Sequence, residues 1–129
     1  GFQATVDNIV ETNALLAACD DLVRPVHTTA DIIRAKEEGK TGIIYGFQNA
    51  HAFEDQIGYV EVFKKLGVGI VQMCYNTQNL VGTGCYERDG GLSGFGRRTL
   101  ASVDCPALTN TPLGFDEGPR PCAIQKMAC

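Results

Sequence analysis

Gly42-Ile-Ile-Tyr-Gly-Phe47, Gln48-Asn-Ala-His51, the stretch from Phe53 to Leu66, and Val68-Gly-Ile-Val-Gln-Met-Cys74 follow one another in the middle of the chain. The first run is short and nearly continuous in apolar residues, which suits a strand buried on both faces of a parallel sheet. A polar turn, Gln48 to His51, comes next. Apolar Ile57, Val60, Phe63 and Leu66 then recur at helical spacing, with acidic Glu54 and Asp55 before them and basic Lys64 and Lys65 near the end. Those charges complement a helix dipole at both termini. Gly67 offers a left-handed stop, and the run from Val68 resumes a buried strand. The pattern predicts a β-α-β unit. Such a unit crosses over right-handed, and ligands of parallel α/β sheets gather beyond the carboxyl ends of the strands. Two stretches are thereby marked as ligand-facing: Gln48 to His51, and Tyr75 to Asn79.

Working toward the N-terminus, Thr28 with Asp31 three residues later resembles a capping box, and Ile32, Ile33 and Ala35 form the apolar contacts of a helix that Gly39 stops. Before it, Leu22 to Val26 reads as a connector, because Pro25 biases Arg24 toward extended geometry. The segment from Thr5 to Cys19 places Val6, Ile9, Val10, Ala14 and Ala17 close to helical spacing and predicts an amphipathic helix.

Toward the C-terminus, Val81 to Gly91 is a glycine-rich loop of functional length, and Ser93 is placed to cap a further helix through Leu100. Beyond about Asp104 the periodicity ends. Pro106, Pro112, Pro119 and Pro121 and the cysteines 105, 122 and 129 all fall there, so an irregular tail is expected over residues 104–129.

Composition excludes several classes. The chain has 129 residues, a formal charge of -4 and 44% hydrophobic content, which is the profile of an ordinary globular protein. Its cations form no stripe that would track a phosphate backbone, so no nucleic-acid partner is expected. No apolar run approaches the roughly 18 residues needed to cross a bilayer, and no secretory leader is visible, so a cytoplasmic chain with reduced cysteines is the expectation. None of the six cysteines forms a C-x-x-C pair. Cys19 and Cys74 lie in apolar segments, where a free thiol behaves as a small hydrophobe. A disulfide framework is the competing reading, since six is an even number.

Short motifs add little by themselves. Gly39-Lys40-Thr41 has the ending of a phosphate-binding loop, but Arg34 stands where that loop needs glycine. Gly82-Thr83-Gly84 lacks the third glycine of a dinucleotide fingerprint. Ser93 and Ser102 sit in no nucleophile elbow. The acidic pairs Asp20-Asp21 and Glu54-Asp55 are sequence neighbours, which do not share a helix face. His27 and His51 are the chain's two histidines, too few for a histidine-rich metal centre. His27 reads as a surface or capping residue. His51 follows a buried strand on the ligand-facing side, where a group titrating near neutrality is useful.

Read jointly, a longer text carries a resemblance: Gly46-Phe47-Gln48-Asn49, Glu54-Asp55, Leu66-Gly67-Val68, Tyr75-Asn76, Gln78-Asn79-Leu80, Gly82 through Glu87, Gly91-Leu92-Ser93 and Phe95-Gly96-Arg97. In that order these resemble the bacterial branch of the membrane (renal) dipeptidase family. Leu22-Val23-Arg24-Pro25 and Ile33-Arg34-Ala35-Lys36 extend the likeness, which covers roughly residues 1–98. The resemblance implies an α/β fold of the (β/α)8 TIM-barrel, metal-dependent hydrolase type, in which two zinc ions activate a water that attacks a dipeptide bond. Gln48 stands where typical members place a metal-bridging glutamate, and Tyr75 where they have a substrate-contacting histidine. His51 matches the histidine that closes the family's Glu-Gly-Gly-His segment. The implied substrate-binding residues are thus His51, Tyr75 and Asn76, with Gln48 at the metal position.

A closed barrel of this type needs roughly 200 or more residues, so a partial barrel over residues 1–103 is expected. The family's His-x-Asp pair would precede Gly1, and its remaining metal-binding histidines would follow the matched region. Val103-Asp104-Cys105 reads as the remnant of a further strand, followed by sequence from a shifted reading frame or a truncated gene. Two functional readings stand side by side. One is a segment of a zinc-dependent dipeptidase, inactive alone. The other is a non-catalytic module of that fold that binds small ligands or partners. Open strand edges add an expectation of self-association.

Overall fold

A computed structural model of the chain describes residues 1–103; the expectations for the tail and for Asp104-Cys105 lie outside the described residues. Helix α1 spans Phe2–Ala18, and strand β1 spans Val23–Pro25. Helix α2 (Thr29–Glu37), strands β2 (Thr41–Ile43) and β3 (Tyr45–Phe47), and a 3-10 turn at His51–Phe53 follow. Helix α3 (Gly58–Lys65), strand β4 (Val68–Val71) and helix α4 (Gly94–Ser102) complete the order.

The predicted strand of 42–47 is one extended run whose two halves serve different neighbours. Its first half, β2, pairs in parallel with β1, with Val23 opposite Thr41 and Pro25 opposite Ile43. Its second half, β3, pairs in parallel with β4, with Tyr45 opposite Val68 and Phe47 opposite Val71. The register slips by one residue between Tyr45 and Gly46. Ile44 between the halves lies outside both ladders. Each neighbour is therefore displaced along the run relative to the other.

The sequence predicts a connector over 22–26; its central residues, Val23–Pro25, instead form strand β1. Pro25 removes one amide donor, yet it stands at the strand's last position, where a missing N–H breaks no interior ladder. The ladder continues on either side of it. Thr41 N–H donates to the Leu22 carbonyl at 2.9 Å, and Val26 N–H donates to the Ile43 carbonyl at 2.8 Å.

Helix α2 begins as its sequence dictates. The Thr28 hydroxyl accepts from Asp31 N–H at 3.3 Å, and the Asp31 carboxylate accepts from Thr28 N–H at 2.9 Å. The Thr28 hydroxyl also donates to the Asp31 carboxylate at 2.8 Å, and this bond, followed by those from His27 N–H and Thr28 N–H, holds the Asp31 carboxyl below its ordinary value. Gly39 and Gly67 follow α2 and α3 with φ of 68° and 94°, a backbone region that a side chain disfavours.

Helix α3 starts later than its periodicity predicts. Phe53 belongs to the 3-10 turn, and Glu54 breaks the helix with φ 49°. Glu54 therefore does not serve the α3 dipole; its carboxylate instead accepts the Phe2 N–H at 2.8 Å, at the start of α1. Glu61 is the acidic residue in the first turn of α3.

The core gathers around this second half. Phe53 and Phe63 are each 1% exposed, and Ile9, Val60, Val68, Met73 and Val81 join them. Phe47 meets Phe63 edge to face, with ring centroids 5.0 Å apart. Ser93 caps α4 as predicted, accepting from Gly96 N–H at 2.9 Å. Cys19, by contrast, is exposed just beyond the end of α1 rather than packed as a small hydrophobe.

Candidate functional site

Because β3 and β4 run parallel, the stretches that leave their carboxyl ends emerge side by side. The joint is hydrogen-bonded: Gln72 N–H donates to the Phe47 carbonyl at 2.8 Å, and Ala50 N–H donates to the Met73 carbonyl at 3.3 Å. The two stretches singled out in the sequence, 48–51 and 75–79, thus share one end of the sheet. Gln48 and His51 are exposed there, while Ala50 and Ala52 turn inward and anchor the turn.

Asn49 orders the first stretch. Its Oδ1 lies 2.9 Å from His51 N and 2.7 Å from His51 Nδ1. Residue type and spacing alone give Asn49 no individual role. The available signal was an Asx residue two positions before a 3-10 turn, a place where such side chains close local turns.

Asn79 orders the second stretch. Its Nδ2 donates to the Met73 carbonyl at 2.7 Å, and its Oδ1 accepts from Val81 N–H at 2.8 Å and Gly82 N–H at 3.2 Å. The Cys74 thiol also donates to that oxygen, at 3.6 Å, and burial pushes this thiol's pKa up. Downstream, Cys85 N–H donates to the Tyr75 carbonyl at 2.7 Å and Tyr86 N–H to the Asn76 carbonyl at 3.1 Å. The Asn76 Oδ1 accepts from the Cys85 thiol at 3.7 Å. Gly84 makes this folding back possible, since a Cβ there would fall on the Asn76–Thr77 peptide. Tyr75 remains 38% exposed, so its ring is available to a ligand.

The donor set is mostly neutral: amides from Gln48 and Asn76, a phenol from Tyr75 and the imidazole of His51. Among the described residues no three His, Cys, Asp or Glu side chains gather closely enough to hold a metal ion. Gln48 carries no charge to bridge two cations, and the oxygen of neighbouring Asn49 is already committed to His51. These residues do not fit a two-metal centre. What they fit is the hydrogen bonding of a small polar ligand through neutral donors and acceptors.

Among the described residues no helix is long and apolar enough to cross a membrane. Residues 1–104 match the family described as membrane dipeptidase (Peptidase family M19). A solved structure of an amidohydrolase from Pseudomonas aeruginosa is 78% identical in sequence and superposes with a TM-score of 0.78. The match covers 79% of this chain and 31% of that one. No curated protein matches. The likeness implies a TIM-barrel-like hydrolase fold, of which the parallel strands and intervening helices form a part. With a family match across all the described residues, this chain belongs to the membrane dipeptidase family.

Proposed function

We propose that this chain forms one wall of a (β/α)8 barrel whose complete form hydrolyses dipeptides, and that the chain by itself is inactive. The observation that carries the reading is the common end of β3 and β4 in a chain of this family, with Gln48, His51, Tyr75 and Asn76 on the two stretches that leave it. In this assignment His51, Tyr75 and Asn76 contact the substrate. A dipeptide offers an ammonium group, an amide and a carboxylate, all of which neutral polar side chains can bond. Zinc is the metal that the family resemblance implies for the complete barrel, with Gln48 at the position of the family's bridging glutamate; no metal step is assigned to residues of this chain.

The test is a zinc titration by calorimetry alongside a dipeptide hydrolysis assay, with the 78%-identical amidohydrolase as reference. The expected result is neither stoichiometric zinc nor turnover from this chain. Turnover with bound zinc would overturn the claim of inactivity.

A second reading has an observation of its own. Gln48 is neutral and no cluster of three metal-binding side chains exists among the described residues, which favours a non-catalytic module that binds small ligands without metal. Dipeptide binding in the presence of a chelator, followed by chemical-shift perturbation at Tyr75 and Asn76, supports this second reading. Its absence counts against it.

A further inference from the structure

We infer that Asn49 is a positioning residue that fixes His51 in the tautomer carrying its proton on Nδ1, so that Nε2 is the ring's hydrogen-bond acceptor toward ligand. A backbone N–H can only donate, so the Asn49 atom 2.9 Å from His51 N is the side-chain oxygen and not the nitrogen. The same oxygen lies 2.7 Å from His51 Nδ1. An amide oxygen only accepts, so Nδ1 must supply a proton to that contact. In the neutral ring the lone pair then resides on Nε2.

The backbone keeps this arrangement in place. His51 opens the 3-10 turn, Phe53 N–H closes on the Ala50 carbonyl at 3.0 Å, and the next two side chains, Ala52 and Phe53, are buried. His51 itself is exposed on the common end of the sheet. An exposed imidazole without a partner samples both tautomers; one tied at Nδ1 presents a single acceptor. The ligand group it suits is an N–H or O–H donor, such as the amide or ammonium of a dipeptide. That last step rests on the proposed function, whereas the tautomer does not.

The experiment is long-range proton–nitrogen correlation NMR on the uniformly nitrogen-15-labelled chain, at a pH where the imidazole is neutral. A His27→Gln variant assigns the two rings. The expected result is a His51 ring dominated by the Nδ1–H form. Asn49→Ala shifts the majority to the Nε2–H form, whereas Asn49→Asp, which retains an acceptor at the same place, keeps Nδ1–H. The wild-type spectrum decides the point even if Asn49→Ala fails to fold. A wild-type ring dominated by Nε2–H overturns the inference, as does an unchanged ring in a folded Asn49→Ala variant. Addition of a dipeptide separates the two claims. An Nδ1–H ring that does not respond to dipeptide supports the role of Asn49 while counting against the dipeptide reading.

Discussion

The β1-α2-β2 unit and the β3-α3-β4 unit have the same order and the same parallel pairing, yet different forces hold them. Residues 10–44 contribute nothing to the main core cluster. Their buried residues are Val26 and Ala35, which sit against Gly42. That unit relies on polar ties: the Thr28–Asp31 capping box, and the Arg24 guanidinium donating to both oxygens of Glu38 at 2.8 and 2.7 Å. The second unit packs Phe47, Phe53, Val60, Phe63 and Val68 together, and both candidate ligand-facing stretches extend from it. Apolar burial is worth roughly 1.5–3 kcal/mol per large side chain, whereas exposed ion pairs and caps contribute about 1 kcal/mol or less. The half of the segment that carries the apolar core is thus the half that presents the site.

Substitutions test this contrast, beginning with the largest effect. Phe63→Ala removes a ring that is 1% exposed and should cost about 3–5 kcal/mol in chemical denaturation. A loss smaller than that of any polar change in the first unit would break the contrast. Thr28→Ala deletes the capping hydroxyl of α2 and should cost about 1 kcal/mol. Its hydrogen-exchange signature should be fraying confined to α2, with the amides of 68–73 unaffected. Arg24→Met leaves the aliphatic stem but no ion pair, and should cost about 1 kcal/mol or less, because the side chains of Arg24 and Glu38 are 27% and 35% exposed. High salt should reduce that difference further.

The smallest effect is in pH. The Asp31 carboxyl is held below its ordinary 3.8, so its contribution to α2 is complete above that value and is lost as pH falls through its lower folded value. Helix α2 should thus loosen on acidification below about 4, followed by amide shifts of residues 28–32. Asp31→Asn should remove that pH dependence.

The two units also differ in how readily their sequences disclosed them. The second was legible because its information is local and apolar: a continuous run, a period near 3.6, then Gly67 and a second run. The first concealed β1. Its three residues, Val23–Pro25, include a proline, and their extended conformation depends on pairing with β2 rather than on any pattern of their own. The start of α3 was misread because Phe53 sits at helical spacing from the residues after it; its burial comes from the 3-10 turn and from Phe47 and Phe63. The likeness from Gly46 to Arg97 disclosed the family, which the match over residues 1–104 bears out. At the site, the polar stretches were found from the topology rule for parallel sheets. The bonds of Asn49 to His51 and of Asn79 to its loop were not, because each depends on backbone angles that residue types alone do not fix.

The central claim is that Gln48 to His51 and Tyr75 to Asn76 share one end because β3 and β4 are parallel. Inter-strand NOEs on the labelled chain test it most directly. The account predicts contacts of Tyr45 with Val68 and of Phe47 with Val71, together with proximity of the Ala50 amide to Met73. Contacts of Tyr45 with Val71 and of Phe47 with Val68 would mean an antiparallel pair with the two polar stretches at opposite ends, and would contradict it.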